Sequence, residues 1–222
     1  MTLLTKTIAV LSLGTLFLIG SCELQPQKYT EAPFTALDTL ATNDWWNRKT
    51  TKIIDMKVPR DQVIAFGIYT ISNNTLKLSA QLFPLYPEES RKVRLELFQN
   101  DLWTEVQVRQ LNEIGWSTTF RIEDWEMNQS IKYRLMHGDN AQFEGLLRKD
   151  PVDKNEISIA ALSCNSNKDR GDRDEYVKNI NALDPDLVFF AGDQSYDHKE
   201  HTAAWLKFGM QFREVFRTRP CI

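Results

Sequence analysis

The chain of 222 residues has no excess of positive charge, because 27 Lys and Arg residues stand against 30 Asp and Glu residues and the net charge is -3. Proteins that bind nucleic acids through phosphate contacts carry a basic surface, so this composition disfavours a nucleic-acid partner. The sequence also has no internal repeat and no low-complexity tract. Its hydrophobic fraction of 42% is ordinary for a globular chain, and its length leaves room for one or two domains.

The amino terminus has no hydrophobic run long enough to span a bilayer, since its apolar stretch covers only residues 8–19. Lys6 precedes that stretch, and the small residues Gly20 and Ser21 lead into Cys22. This pattern is typical of a secretion signal that ends in a bacterial lipobox. We therefore expect residues 1–22 to be a lipoprotein signal peptide, Cys22 to be lipidated, and the exported chain to be anchored to a membrane. A plain secretory peptide with an incidental cysteine is the alternative.

Cysteine is scarce, with three residues in the whole chain. If Cys22 is lipidated, only Cys164 and Cys221 remain, and export would permit one disulfide between them. Both follow patterns of parallel strands that look internal, so we expect free thiols and keep the disulfide as the alternative.

Residues 23–61 are polar and interrupted by proline, which indicates a tether and a lead-in to the first domain. From residue 62 to about 150, apolar and polar residues alternate, as in 76–82, 93–97 and 131–135. Asn73 and Asn74 lie between two such runs, where a hairpin turn is expected. Short alternating strands with frequent turns predict an antiparallel β-sandwich.

Several side chains of this region have predicted positions. We expect the sandwich interior or its ends to contain three tryptophans: Trp103, Trp116 and Trp125. We expect His137, which precedes Gly138, to be a solvated turn residue. The region shows no catalytic constellation.

The pattern changes after residue 154, so that residues 155–222 form a second unit. Residues 157–162 and 187–190 are mostly apolar without alternation, which is typical of strands buried on both faces of a parallel sheet. Between them, Asp172 with Glu175 three residues later predicts the start of a helix, and Pro185 predicts its end. Strand, helix and strand in this order predict a parallel βαβ unit.

Helical spacing predicts the buried faces of two helices. In the helix of the βαβ unit these residues are Tyr176, Ile180 and Leu183. In a second helix, which begins near residue 202, they are Trp205, Phe208, Phe212 and Phe216. We expect the second stripe to be core, Arg213 and Arg217 to be solvated, and residues 219–222 to begin another strand.

Polar residues follow both predicted parallel strands. Cys164 comes directly after the first strand, and Asp193 and Tyr196 come after the second. Because the carboxyl ends of neighbouring parallel strands meet at one edge of a sheet, we expect Cys164 and Asp193 to be neighbours there. A thiol, a carboxylate and a phenol at that edge form a candidate metal site.

The segments 163–167, 184–190 and 192–198 resemble those of the alkaline phosphatase D (PhoD-like) metallophosphoesterases, in a secreted lipoprotein branch. The resemblance extends from about residue 63 to the end of the sequence. It implies a fibronectin-like or immunoglobulin-like sandwich over 62–150 and the first βαβ part of a calcineurin-like α/β domain over 155–222. It also implies hydrolysis of phosphomonoesters and phosphodiesters.

The resemblance implies that Cys164, Asp193 and Tyr196 bind Fe³⁺, and that Asp193 bridges to a second, divalent metal. Ca²⁺ is favoured there, with Zn²⁺ or Mn²⁺ possible. A phenol has a pKa near 10 and binds as an anion only beside a strong Lewis acid, so this ligand set favours trivalent iron.

Four residues close to this site have open roles. Asn165 and Asn167 could orient ligands or phosphate, or could equally cap turns. Asp197 and His198 could support the metal ligands or could be solvated loop residues.

The Asn-His-Asp motif of the family and its later histidines do not occur in these 222 residues. We therefore expect a truncated chain that is inactive alone, with catalytic residues beyond Ile222. A surface lipoprotein that binds glycan or protein through the sandwich, with a degenerate enzyme domain, is the alternative. A further alternative is a hydrolase in which Cys164 is the nucleophile and His198 or His201 is the base. The expected partners are a small phosphate ester and a membrane, and no oligomer is predicted.

Overall fold

The computed structural model describes residues 53–126, 128–165, 172–196 and 201–222, and of His201 only the backbone. The predicted signal peptide, the lipidation of Cys22 and nearly all of the predicted lead-in lie outside the described residues. Within the described ranges, no helix has both the length and the apolar character needed to cross a membrane.

In the described part of the chain, seven strands form two antiparallel sheets, as the alternating pattern predicted. The strands are β1 (Ile64–Ser72), β2 (Thr75–Leu82), β3 (Lys92–Gln99), β4 (Leu102–Gln110), β5 (Ser117–Ile122), β6 (Ile131–His137) and β7 (Ala141–Leu147). One sheet has the order β1-β2-β5 and the other has the order β4-β3-β6-β7. A short 3₁₀ helix, Arg60–Gln62, precedes β1.

The predicted hairpin joins β1 to β2. Asn73 and Asn74 have φ angles of 49° and 53°, as a type I′ turn requires, and asparagine tolerates this left-handed region better than most residues. The strands then pair in register from Ser72 with Thr75 onward. The turn therefore sets which residues of β2 face the interior.

The two antiparallel sheets share one hydrophobic core. Gly67 of β1 marks their close approach, because a Cβ atom there would lie 2.8 Å from Cδ1 of Leu135 in β6. Trp116 and Trp125 are buried, as predicted, with 0% and 7% of their surface exposed.

The prediction for Trp103 is wrong, because this residue lies on the outer side of β4. Its ring packs against Phe98, with 5.2 Å between centroids, and lies under the guanidinium of Arg134 at 4.5 Å. The reason is that β4 is an edge strand whose side chains are exposed or half-buried along its whole length.

The prediction that His137 is solvated is also wrong. Only 6% of its surface is exposed, and its Nε2 lies 2.7 Å from the carbonyl oxygen of Ser90. The strand β6 has neighbours on both sides, so its last residue is still covered by the sheet. Burial lowers the pKa of His137 and opposes its protonation.

Among the described residues from 155 onward, there are two parallel strands and three helices. They are β8 (Ile159–Leu162), α1 (Arg173–Leu183), β9 (Leu187–Phe190), α2 (His201–Gln211) and α3 (Arg213–Phe216). The predicted βαβ order is confirmed, with β8 and β9 paired in parallel. Cys221 adds a parallel bridge to Val188, which agrees with the strand expected at 219–222. Oδ1 of Asp172 caps α1 by accepting from the amides of Asp174 and Glu175.

The described part of the parallel sheet is covered on one face, whereas the sequence predicted burial on both. Val188 is fully buried against the helices, but 42% of Phe189 and 57% of Ile159 are exposed on the opposite face. A run of apolar residues does not show which elements cover each face, so the pattern overestimated the burial.

The predicted helix faces are correct in part. In α1 the buried residues are Val177 and Ile180, whereas 39% of Tyr176 and 78% of Leu183 are exposed. In the following helices, Phe208, Phe212 and Phe216 are core residues, as expected.

Trp205 was predicted to lie on the buried face of α2, but 39% of its surface is exposed. Its indole nitrogen donates to Oε1 of Gln81 at 3.0 Å. This contact links α2 to β2 of the antiparallel sheets.

Arg213 and Arg217 are not solvated, contrary to the prediction. Arg213 Nε donates to the carbonyl oxygen of Ala65 at 2.7 Å, and Arg217 Nη1 donates to that of Glu144 at 2.6 Å. Both guanidinium groups stack on the ring of Phe143, at 4.9 and 4.5 Å. The two cations thus link the helices to the antiparallel sheets.

Candidate functional site

The loops that follow β8 and β9 lie side by side at the carboxyl ends of the two strands. The amide of Cys164 donates to the carbonyl oxygen of Gly192 at 3.3 Å, and the amide of Asn165 donates to that of Asp193 at 2.8 Å. These bonds continue the parallel pairing beyond the last strand residues. They place residues 164 and 193 next to each other, where open α/β sheets carry their ligands.

Both loops turn sharply through left-handed backbone conformations. Gly192 has a φ angle of 108°, and Cys164 and Asp193 have φ angles of 61° and 56°. Residues with a side chain pay about 1–2 kcal/mol for this conformation. Cys164 carries most of this strain, because aspartate adopts the left-handed region more readily, and strained residues are frequent at functional sites.

Two reactive side chains converge on a carboxylate oxygen of Asp193. Oδ2 of Asp193 lies 3.7 Å from Sγ of Cys164 and accepts a hydrogen bond from the hydroxyl of Tyr196 at 3.3 Å. Cys164 is exposed, and 44% of the Tyr196 surface is exposed. The structure thus brings together the three residues that the sequence singled out, and solvent reaches them.

The electrostatics of this cluster suit a cation. The hydrogen bond to Cys164 comes first among the causes that raise the pKa of Tyr196 to about 12, followed by desolvation and the charge of Asp193. The thiol, carboxyl and phenol groups can each become an anion, and three adjacent anions repel one another unless a positive charge lies between them. This donor set therefore fits a strongly charged metal ion.

Asn165 connects the two loops of the site to α2. Its Nδ2 donates to the carbonyl oxygen of Gln194 at 3.2 Å and to Oε1 of Gln211 at 3.1 Å. Of the two roles that the sequence left open, these contacts favour the structural one, because the amide group joins both loops to α2. The sequence did not reveal Gln211, which is 46 positions away and belongs to no local motif.

Arg173 is a second residue that the sequence did not single out. It lines a small recess of about 60 Å³ together with Cys164, Asn165 and Gln194. An arginine at the first position of a helix is ordinary on a protein surface, so nothing in the local pattern marks it. Its position brings an arginine to the recess that Cys164 also lines.

Other predicted residues lie outside the described part of the chain. They are Asn167, Asp197 and His198, and the side chain of His201 is also not described. The two histidines proposed as bases for a nucleophilic Cys164 are therefore not placed. Among the side chains that are described, no group of three or more His, Cys, Asp and Glu residues could hold a metal ion; the cluster above includes a tyrosine.

No protein-family model matches the sequence, and no curated protein matches it either. Among solved structures, the chain is similar to the structure of PhoD, with a TM-score of 0.58, 15% identity, and coverage of 72% of this chain and 38% of PhoD. At this identity the likeness shows the fold alone, so the chain has a PhoD-like fold that is rich in antiparallel β-structure. It spans less than half the length of the PhoD chain.

Two further structural similarities are too weak to support an argument. A superoxide reductase from Giardia intestinalis has a TM-score of 0.28 and 14% identity, with coverage of 39% of this chain and 99% of that one. A twitchin kinase region from C. elegans has a TM-score of 0.31 and 14% identity, with coverage of 56% and 24%.

Proposed function

We propose that this chain belongs to a metal-dependent phosphoric ester hydrolase of the alkaline phosphatase D type, acting on phosphomonoesters or phosphodiesters. The observation that supports the proposal is the convergence of Cys164 and Tyr196 on Oδ2 of Asp193 at the ends of two parallel strands. The PhoD-like fold agrees with it.

In this proposal Cys164, Asp193 and Tyr196 hold Fe³⁺, and Asp193 is shared with a divalent ion, Ca²⁺ in preference to Zn²⁺ or Mn²⁺. The bound metals would supply the Lewis acid that polarises the phosphoryl group. Thiolate and phenolate ligands together favour a trivalent ion over magnesium, which prefers carboxylate and water.

The protein's own contribution is to position these ligands. Cys164 and Asp193 are held by backbone hydrogen bonds between their loops, and Asn165 fixes both loops to Gln211 of α2. The hydroxyl oxygen of Ser163 lies 3.3 Å from the sulfur of Cys164 and donates to the carbonyl oxygen of Gly192 at 3.3 Å, so that this side chain also connects the two loops. Preorganised ligands of this kind let the site bind the metal without a further ordering step.

We also propose the finer architecture that the sequence suggested. Residues 62–150 would form a fibronectin-like or immunoglobulin-like sandwich, and residues 155–222 the first part of a calcineurin-like domain. The chain would be exported as a lipoprotein, anchored to a membrane through Cys22.

The first experiment measures metal and activity in the same samples. We expect the purified chain to contain iron by elemental analysis and to show a visible charge-transfer band that is lost in Tyr196→Phe. Asp193→Asn should lower the iron affinity by more than about a hundredfold, since even residues that only support a metal ligand cost about 10- to 100-fold. In a longer protein that supplies the remaining catalytic residues, hydrolysis of p-nitrophenyl phosphate and its bis ester should fall with the iron affinity.

Asp153→Asn is the matched control, because it removes an exposed carboxylate that lies outside the site; it should leave iron and turnover unchanged. Iron that persists in Asp193→Asn, or a band that survives in Tyr196→Phe, would remove the residue from the ligand set. A glycan-binding or protein-binding lipoprotein would need no iron, and its affinity would not respond to Asp193→Asn.

A further inference from the structure

A cleft of about 500 Å³ lies between the antiparallel sheets and the parallel unit. Its volume is in the range of small-molecule sites, about 300–1,000 Å³. It opens at the amino ends of β8 and β9, whereas Cys164 and Asp193 lie beyond their carboxyl ends. Four-residue strands span roughly 13 Å, so the cleft is separate from the proposed metal site. Its apolar lining includes Ile71, Leu146, Ile157, Leu187 and Pro220.

Tyr69 supplies a buried hydrogen-bond donor to the lining of this cleft. Only 1% of its surface is exposed, and its hydroxyl oxygen accepts from the amide of Arg148 at 3.2 Å. Among the described residues, no acceptor takes the proton of that hydroxyl. Burial raises the pKa of Tyr69, so the hydroxyl remains a donor at every ordinary pH. A buried donor without an acceptor costs about 1–3 kcal/mol, and an acceptor on a ligand would remove that cost.

Each cation that lines the cleft is held in an ion pair, and Asp150 adds a further carboxylate to the lining. Arg148 contacts Asp184 at 2.5 Å, Lys154 contacts Asp186 at 2.5 Å, and Lys149 contacts Asp153 at 3.0 Å. An anionic ligand would have to compete with these carboxylates for each cation. The lining therefore disfavours anions, and its apolar walls favour a neutral body.

We propose that this cleft binds a small neutral molecule with an apolar body and one hydrogen-bond acceptor, and that the acceptor receives the proton of Tyr69. The apolar walls hold the body, and the hydroxyl fixes its orientation. This site is independent of the proposed hydrolase activity.

The test uses two probes observed by fluorine NMR with the full chain. 4-Fluoroacetophenone has a flat apolar ring and one carbonyl acceptor, and 4-fluoroethylbenzene has nearly the same shape without the acceptor. We expect the ketone to bind more tightly than the hydrocarbon. Tyr69→Phe should weaken the ketone by about 3- to 10-fold, which corresponds to one net hydrogen bond, and should leave the hydrocarbon unchanged.

Tyr133→Phe is the matched control. Tyr133 is a neighbouring buried tyrosine, with 6.3 Å between the two ring centroids, and its hydroxyl does not line the cleft. It should leave both probes unaffected, as should Asp193→Asn. If Tyr69→Phe fails to fold, the wild-type preference for the ketone decides the question. Equal affinity for both probes, or no binding of either, would overturn the proposal.

Discussion

Polar side chains are buried and paired in the antiparallel part of the molecule, whereas they are exposed at the ends of the parallel strands. In the antiparallel part, Arg60 of the 3₁₀ helix and Glu89 of the loop before β3 form a buried ion pair at 2.6 Å. Within the sheets, Arg134 pairs with Glu96 at 2.6 Å, and burial lowers the pKa of His137. At the ends of the parallel strands, Cys164 and Tyr196 face solvent. Charged and titratable side chains therefore stabilise the fold where the antiparallel part covers them. At the carboxyl ends of the parallel strands, titratable side chains remain accessible to ligands.

The largest difference between the two regions should be in stability. Phe66 of β1 is fully buried and packs against Trp205 and Phe216, with 5.3 and 5.6 Å between ring centroids. Phe66→Ala should lower the free energy of unfolding by about 3–5 kcal/mol, because it leaves a cavity between the sheet and the helices. Urea denaturation measures this change.

Phe189→Ala is the matched substitution in the parallel sheet, where 42% of the side chain is exposed. Its cost should be below about 1 kcal/mol. Similar losses for the two variants would contradict the distinction between a covered and an open sheet face.

The two described cysteines should differ strongly in reactivity. Cys164 is exposed, whereas Cys221 is buried and burial raises its pKa to about 12. With Cys22 replaced by serine, alkylation by iodoacetamide should be at least roughly a hundredfold faster at Cys164, since thiolates in accessible positions react. Mass spectrometry of the labelled peptides measures both rates, and fast labelling of Cys221 would show that the interior opens.

Asn165→Ala should weaken the proposed metal site by about tenfold without unfolding the chain, because supporting hydrogen bonds typically contribute 10- to 100-fold to metal affinity. The readout is iron content at limiting iron, together with the position of the charge-transfer band. Gln211→Ala removes the other partner of the same hydrogen bond and should have a similar effect. If neither substitution alters iron binding, the link to α2 does not position the ligands.

The smallest expected effect is on pH dependence. The folded pKa of His137 lies below its ordinary value of 6.5, chiefly because of burial. The unfolded chain therefore binds this proton more readily, and the stability present above about pH 6.5 is lost as the pH falls through that value. His137→Gln should reduce the slope of unfolding free energy below pH 6.5. An unchanged slope would show that His137 does not cause the loss of stability at low pH.

Local patterns predicted much of the fold and the composition of the candidate site. The alternation of β2, the turn at Asn73 and the cap at Asp172 all depend on interactions within a few residues. The proximity of Cys164 and Asp193 could also be predicted from the sequence, because parallel strands joined by a helix bring their ends together. The positions of Trp103 and His137 could not be predicted from the sequence, since they depend on which strand is at the edge of its sheet.

The amino-acid sequence alone determined the order of strands and helices, the turns, and the presence of a thiol, a carboxylate and a phenol after two parallel strands. Only the tertiary structure decided which faces are covered, that Arg213 and Arg217 bind the sheets, that Gln211 supports Asn165, and that Tyr69 lines a cleft. Backbone preference and side-chain periodicity act over a few residues and can be read from neighbours in the chain. Burial and hydrogen-bond partners depend on contacts between segments that are far apart in sequence.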